Sequence, residues 1–131
     1  MPAPETVHGI RVVASPAALD SAVWPANVSV LRFAPDDMFV IGAETLSISS
    51  EHAIVAPESG FSGCWLNATE LAHAAEHIDW PLPDASERPL LVQGFVAGVP
   101  AKLYLTTSTG DNAALLLTNT PYAAELWERL R

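Results

Sequence analysis

Short apolar segments, each ended by a turn signal, set the strongest limit on how this chain folds. The segments GIRVVA, VSVLRF and MFVIGA are rich in β-branched and aromatic residues, and APDD separates the last two. Such residues favour strands, and a proline followed by two aspartates favours a tight turn. The pattern returns in HAIVAP, FSGCWL, LLVQGFVAGVPAKLYLTT and AALLLT. The sequence therefore predicts many short strands, several of them joined as hairpins.

Three details of this strand pattern carry predictions of their own. TLSIS alternates, with Leu46 and Ile48 on one face, and predicts a further strand. PESG predicts a loop that separates HAIVAP from FSGCWL. Pro100 cannot donate a ladder hydrogen bond, so we expect the longest apolar segment to bend or turn at Ala97-Gly98.

Three start signals predict helices between the strands. Ser15-Pro16 and Thr120-Pro121 each place a hydroxyl cap before a proline that suits the first helical turn, and Pro25 ends the first helix. Asn67 and Glu70 form an N-x-x-E capping box at the start of the second helix. The last helix runs to the C-terminus.

Hairpins with helices between them predict an α+β fold with a largely antiparallel sheet and about three helices. We expect a single domain over residues 1–131, because 50% of the residues are hydrophobic and a chain of this length buries a real core. The opening β-α-β-β and the closing β-β-β-α suggest two related halves, which would be ferredoxin-like.

The formal net charge of -9 argues against two classes of partner. An acidic chain repels the phosphates of nucleic acids and the surface of anionic membranes. No apolar run approaches the roughly 20 residues of a membrane-spanning helix. The segment MPAPETVHGIR has no basic start and no apolar stretch of a signal peptide, and Cys64 is the single cysteine. We therefore expect a cytoplasmic protein with neither nucleic-acid nor membrane partners.

The segment LAHAAEHIDW holds His73, Glu76 and His77 in the spacing H-x-x-E-H. In inverted zincins, two histidines in this spacing hold zinc and the glutamate activates a water. However, Leu71 and Ile78 mark the buried stripe of this helix, and both histidines fall on the side we expect to be solvated. A catalytic zinc also needs a third ligand and a walled cleft. We expect a histidine-rich polar face, with no metal site and no catalytic residue, and keep a zinc hydrolase as the third alternative.

The remaining candidate residues lie near Cys64. The segment around it predicts a strand and a buried structural thiol, since free cysteines are among the most buried residues. No phosphate-binding glycine loop occurs, and we expect neither enzymatic activity nor a cofactor; the residues that a bound cofactor would contact stay undetermined. Because tryptophan is enriched at interfaces, Phe61 and Trp65 are candidate interface residues.

Two segments carry a family resemblance. The first runs from GVPAKLYL to AALLLTNTPYAAELWERL, and its matching positions are Gly98, Val99, Pro100, Tyr122, Ala123, Trp127 and Leu130. The second is the hairpin LRFAPDDMFVIGA, where Pro35 and Asp36 match. Together they resemble a shortened form of the sarcosine oxidase gamma subunit family, over most of the chain.

This resemblance implies the folate-binding fold group that includes the glycine-cleavage T-protein domain. In the sarcosine oxidase complex, the flavin and the folate chemistry belong to other subunits and the gamma chain is an accessory. The resemblance thus implies a non-catalytic accessory or assembly module that associates with itself or with a larger protein. The alternative is a small-molecule binding domain for a folate-like ligand, although six basic residues leave few groups to meet its carboxylates.

Overall fold

The computed structural model describes residues 1–131 as seven strands and three α-helices. The strands are β1 (Glu5–Val13), β2 (Ser29–Ala34), β3 (Asp37–Ile41), β4 (Ile54–Leu66), β5 (Leu90–Val96), β6 (Val99–Leu105) and β7 (Ala114–Asn119). The helices are α1 (Pro16–Ser21), α2 (Ala68–Ala75) and α3 (Ala123–Arg129), with short 3-10 turns at Ala85–Glu87 and Thr120–Tyr122. The pairs β1–β3, β2–β3, β4–β7, β5–β6 and β6–β7 are all antiparallel, which confirms the predicted α+β fold. No helix is long and apolar enough to cross a membrane.

The chain forms two compact units, which we call the N-terminal unit (residues 7–59) and the C-terminal unit (residues 1–6 and 60–131). The strand order is β2-β3-β1 in the first and β4-β7-β6-β5 in the second. Both contain strand, helix and hairpin in succession, as β1-α1-β2-β3 and as β4-α2-β5-β6, and the predicted closing β-β-β-α is β5-β6-β7-α3. The single domain over residues 1–131 stays a prediction.

One face of the three strands forms the core of the N-terminal unit. The register places Ile10 beside Val40 and Val12 beside Met38, so alternate residues of β1 and β3 share a face. Leu19 of α1 packs into the same cluster. The predicted cap of α1 is confirmed, because the Ser15 hydroxyl accepts a hydrogen bond from the Ala18 amide at 3.2 Å.

Strand β7 is the centre of the C-terminal unit, between β4 and β6. Its residues from Ala114 to Thr118 are all buried. Leu116 packs with α2 and α3 through Leu71 and Leu126. Since side chains alternate along a strand, Leu115 and Leu117 lie on the opposite face, which we call the far face because α2 and α3 pack on the other one. Both side chains are buried there as well.

The turn between β5 and β6 confirms the expected change of direction at Ala97-Gly98. Both residues have positive φ, 50° and 77°, as a two-residue type I′ turn requires. Val96 and Val99 flank this turn as cross-strand partners. Arg129 of α3 donates from Nη1 to the Ala97 carbonyl at 2.7 Å, so the last turn of α3 holds the hairpin end.

Two of the strand predictions are wrong. TLSIS forms no strand; Leu46 and Ile48 instead pack on the N-terminal core from an irregular segment. The side chains of this segment do alternate between partly buried and exposed, but no neighbouring strand forms backbone hydrogen bonds with it. PESG forms no loop, because β4 runs unbroken through it. The carboxylate of Glu58, inside that segment, accepts from Arg11 at 2.9 Å, a contact that the local turn signal could not show.

The start of the last helix also differs from the prediction. Thr120 does not cap α3; its hydroxyl pairs with that of Ser62 at 2.9 Å. A 3-10 turn over Thr120–Tyr122 precedes the helix, and no side chain caps Tyr122. A tertiary hydrogen bond therefore replaces the local one at this position.

Candidate functional site

Helix α2 carries the H-x-x-E-H motif, and its start is fixed by the predicted capping box. The Asn67 side chain accepts from the Glu70 amide at 2.8 Å, and the Glu70 carboxylate accepts from the Asn67 amide at 2.9 Å. The pair thus satisfies the Asn67 and Glu70 amides, two of the N–H groups at the helix start that have no partner within the helix. Glu70 is consequently engaged at the cap.

His73 makes a tertiary hydrogen bond. Its Nε2 lies 2.6 Å from the carbonyl oxygen of Leu130, which ends α3. A carbonyl only accepts, so Nε2 carries the proton, and Nδ1 is left 3.8 Å from the Glu76 carboxylate. His73 therefore joins α2 to the end of α3, and its side chain is 40% exposed on the face that the sequence predicts to be solvated.

His77 lies beside His73, just beyond the end of α2. The ring centroids are 5.4 Å apart and the rings are nearly perpendicular, at 77°. The backbone carbonyl of His77 accepts from the Ala97 amide at 2.8 Å, which ties this segment to the β5–β6 turn. The motif thus brings two imidazoles together, as its spacing predicts.

The end of helix α3 contacts His73, but the carboxylates of this helix are engaged with arginines. Glu125 pairs with Arg129 within α3, and Glu128 pairs at 2.9 Å with Arg131, just beyond the helix. The chain holds no group of three or more His, Cys, Asp and Glu side chains that could hold a metal ion. The contact that α3 supplies to the motif is the backbone carbonyl of Leu130.

Cys64 lies on β4, opposite Leu116, and packs against the core of the C-terminal unit. Burial, with a smaller contribution from the Glu70 carboxylate, raises the pKa of Cys64 to about 11. The thiol is therefore protonated at neutral pH, and only a thiolate is a good nucleophile. These surroundings are those of a structural cysteine.

Phe61 and Trp65 lie on the far face of the C-terminal unit, where they pair with Asn119 and Leu115. Phe61 is only 6% exposed, so it has little surface to offer to another chain. Trp65 is half-buried. Their role as interface residues stays a prediction.

The same far face ends at an exposed strand that the sequence did not identify as a surface. β5 is paired only with β6, so its other edge faces no strand. Phe95, on β5, is 62% exposed, and Leu91 and Val92 are half-buried. β5 holds no charged residue, no proline and no register shift. A long, neutral, apolar edge of this kind is a template for another strand.

The outer strand of the N-terminal unit has the protection that β5 lacks. β2 is paired only with β3, and its register shifts between Arg32 and Ala34. Arg32 also places a charge on this strand, and it binds the Asp20 carboxylate at 2.5 Å and the Pro35 carbonyl at 2.6 Å. Charges and bulges are the devices that keep strand edges from pairing with other chains. The contrast marks β5 as the open edge.

The turn fixes which backbone groups β5 directs outward. In a two-residue hairpin the flanking residues, here Val96 and Val99, exchange hydrogen bonds with each other. Hydrogen-bonding direction alternates along a strand, so Val96, Gly94 and Val92 bond toward β6. Leu91 and Phe95 therefore direct their N–H and C=O groups away from β6, toward the open edge.

Charge also distinguishes this hairpin from the rest of the chain. The fifteen Asp and Glu residues all lie outside residues 88–110, which include Arg88 and Lys102. The strands β5 and β6 are therefore free of carboxylates in a protein of net charge -9. Another chain can approach here without meeting a like-charged strand.

Most cations of the chain are engaged internally. Arg11 donates to Asp37 at 2.6 and 2.7 Å and to Glu58 at 2.9 Å, and it lies 4.9 Å from the centroid of the Phe33 ring. The hydrogen bond to Asp37 raises the pKa of Arg11. This cluster holds the N-terminal unit together and offers little to an anionic ligand.

A cavity of about 220 Å³ lies on the C-terminal unit beside Lys102. Polar groups from Gln93, Asn119 and Tyr122 line it, and Leu117 supplies an apolar wall. Lys102 donates to the Gln93 side chain at 2.6 Å. The cavity joins one cation to amide and phenol groups, a combination suited to a small carboxylate.

Comparisons with protein-family models, with curated proteins and with solved structures find no match to this chain. Three places in the C-terminal unit offer contacts to a partner or a ligand. These are the open edge of β5, the cavity at Lys102 and the histidine pair of α2.

Proposed function

We propose that this chain is a non-catalytic accessory or assembly module, which acts in the cytoplasm by binding another protein chain along β5. The observation that carries the proposal is the open edge of β5, with Phe95 exposed at its end. Strand addition supplies affinity through main-chain hydrogen bonds and specificity through alternate side chains. The resemblance to the sarcosine oxidase gamma subunit, an accessory chain, supports the same function.

The half-buried row beside the edge also supports this proposal. Leu91 of β5 lies opposite Tyr104 of β6, and Tyr104 lies opposite Leu115 of β7. Exposure along this row rises from buried Leu115 to half-buried Tyr104 and Leu91. A strand added beside β5 would extend the far face and bury this row further, together with Phe95.

The proposal is tested by native mass spectrometry of the full chain taken from its own host. Wild type is compared with Phe95→Lys, which puts a charge on the edge, and with Val23→Lys as the matched control. Val23 is 92% exposed and lies in the N-terminal unit. We expect a complex in wild type and in Val23→Lys that is lost in Phe95→Lys. A bare single chain in wild type, or a complex that ignores Phe95→Lys, would contradict the proposal.

A small-molecule binding domain is the second candidate, and the cavity at Lys102 favours it. A folate-like ligand would place one carboxylate against the Lys102 ammonium and its ring against Leu117 and Tyr122. The test is pterin absorbance in protein from the host, followed by calorimetry with folate on wild type and Lys102→Met. Binding that is unchanged in Lys102→Met would exclude this cavity as the site.

The third candidate is a zinc hydrolase at His73, Glu76 and His77. Zinc would have to use Nδ1 of His73, because Nε2 donates to Leu130. Metal-ligating histidines commonly donate their other N–H to a carbonyl, so the hydrogen bond from His73 to Leu130 is compatible with a metal ligand. Urea unfolding of wild type, His73→Ala and His77→Ala, with a chelator and again with added zinc, tests this candidate. A zinc stabilisation of wild type that both variants lose would support it.

A further inference from the structure

We infer that the partner seated on β5 is β5 of a second copy of this chain, paired antiparallel about a two-fold axis at Gln93. This inference rests on the proposed function and names its partner. It would extend the four strands of the C-terminal unit into one sheet shared by two copies. The side-chain pattern of β5, its outward backbone groups and the charge of the hairpin support this pairing.

The sequence LLVQGFV of β5 is complementary to itself in this register. A two-fold axis at Gln93 places Leu91 opposite Phe95 of the other copy, and Val92 opposite Gly94. On the axis, Gln93 meets Gln93 of the other copy, and its side chain lies at the surface. The other pairs are apolar or contain glycine. Aromatic and aliphatic cross-strand pairs stabilise antiparallel sheets. The exposed ring of Phe95 is then covered by Leu91 of the other copy.

The hydrogen-bonding groups match the same register. Leu91 and Phe95 direct their N–H and C=O groups outward, as the turn geometry requires. Residues that face each other with outward groups on both strands form a hydrogen-bonded pair. The two Leu91–Phe95 pairs therefore each exchange two main-chain hydrogen bonds across the axis. In a register shifted by one residue, residues whose N–H and C=O groups point outward would lie opposite residues whose groups bond toward β6.

Charge favours a second copy at this place and at few others. Two chains of net charge -9 repel each other, so contact is least costly where carboxylates are absent. The strands β5 and β6 have none, and their single cation, Lys102, donates to Gln93 of its own copy. Lys102 of each copy is separated from the other by both β5 strands. The two Lys102 residues are three strand spacings of about 4.8 Å apart, or about 14 Å, which exceeds the Debye length at physiological salt.

The experiment measures the mass of purified full chain by sedimentation across a wide concentration range. A contact of one strand from each copy is small, so we expect a weak dimer, with a mass that rises toward twice that of one chain in the micromolar range. Phe95→Lys and Leu91→Glu should each weaken dimerisation by about tenfold or more, since charges on an edge oppose pairing. Val23→Lys should leave it unchanged.

The decisive sample is an equimolar mixture of Phe95→Lys and Leu91→Glu. In the proposed register the new lysine faces the new glutamate, and the unchanged Leu91 faces the unchanged Phe95. The mixture should therefore recover the dimer that neither variant forms alone. Circular dichroism establishes that each variant is folded. Hydrogen exchange on wild type gives a second measurement, with protection of the Leu91 and Phe95 amides that increases with protein concentration.

Three results would overturn the inference. They are a wild type that remains a single chain with unprotected edge amides, a dimer that survives both single substitutions, and a mixture that stays monomeric. A single chain in isolation that still forms a Phe95-dependent complex in the host would remove the second copy and leave the proposed function standing. A single chain in both settings would remove both.

Discussion

Replacing His73 by alanine separates a structural role of the H-x-x-E-H motif from a metal-binding one. The variant loses the 2.6 Å hydrogen bond between Nε2 and the Leu130 carbonyl. A hydrogen bond contributes about 0.5–1.5 kcal/mol net, and a buried acceptor left unpaired costs about 1–3 kcal/mol. The His73 side chain is 40% exposed, so water partly replaces it. We expect a loss of about 1–2 kcal/mol in the free energy of unfolding, or about 3–8 °C in Tm.

His77→Ala is the matched control, because it removes the other imidazole of the pair. The His77 ring contacts the His73 ring, whereas its tie to the β5–β6 turn is made by the backbone carbonyl and survives the substitution. We expect a change within about 0.5 kcal/mol. His73→Gln, whose amide can donate to Leu130, should recover part of the loss.

Urea unfolding with a chelator, and again with added zinc, measures these differences. The structural role predicts the same free energy of unfolding in both conditions. A zinc site would instead stabilise wild type by about 2.7 kcal/mol at a zinc concentration one hundred times the Kd. Equal losses in His73→Ala and His77→Ala, or a zinc stabilisation that both variants abolish, would refute the structural reasoning.

Three further predictions test other contacts of the C-terminal unit. Cys64 should resist a thiol reagent at pH 8 and react as the pH nears 11, because its pKa is about 11 in the folded protein and 9.0 in the unfolded one. Since folding raises this pKa, the free energy of unfolding falls as the pH rises from 9 to 11, and Cys64→Ala should lack that fall. Gly63→Ala should cost about 3 kcal/mol or more in thermal unfolding, since its Cβ would lie 2.2 Å from a carbonyl oxygen of β7, whereas Gly110→Ala should change little. Trp127→Phe removes the 2.6 Å indole donation to the Pro2 carbonyl, so it should cost about 1 kcal/mol and speed proteolysis of residues 1–6.

Local chemistry explains the features that the sequence predicted well. The caps at Ser15 and Asn67 depend on hydrogen bonds that span three residues. The turn at Ala97-Gly98 depends on positive φ at two adjacent residues and on Pro100 beyond them. The partners in each case lie within a few positions, so the sequence contains the whole interaction.

Features that depend on distant partners were missed or wrong. TLSIS has the alternation of a strand, but alternation reports burial and does not supply a neighbouring ladder. PESG has the composition of a loop, yet β4 continues through it with Glu58 bound to Arg11, 47 positions away. Thr120 has a cap sequence but bonds to Ser62. Each outcome was decided by a contact that no short window contains.

The candidate sites divide in the same way. The spacing of His73 and His77 correctly predicted neighbouring rings, but the partner of His73 is a carbonyl 57 positions away. The absence of carboxylates around β5 is visible in the sequence. The sequence does not show that this neutral segment lies at a sheet edge, because its position there is set by the strand order β4-β7-β6-β5.

The two outer strands of the chain make the strongest argument for an assembly role. An open strand edge promotes uncontrolled association, and β2 carries a charge and a register shift that oppose it. β5 has neither, and it lies in residues 88–110, the longest stretch without carboxylates in this acidic chain. This contrast between a protected edge and a neutral, apolar one supports the proposed assembly role. Pairing with an ordered strand is the use that satisfies the outward groups of Leu91 and Phe95 and covers the Phe95 ring.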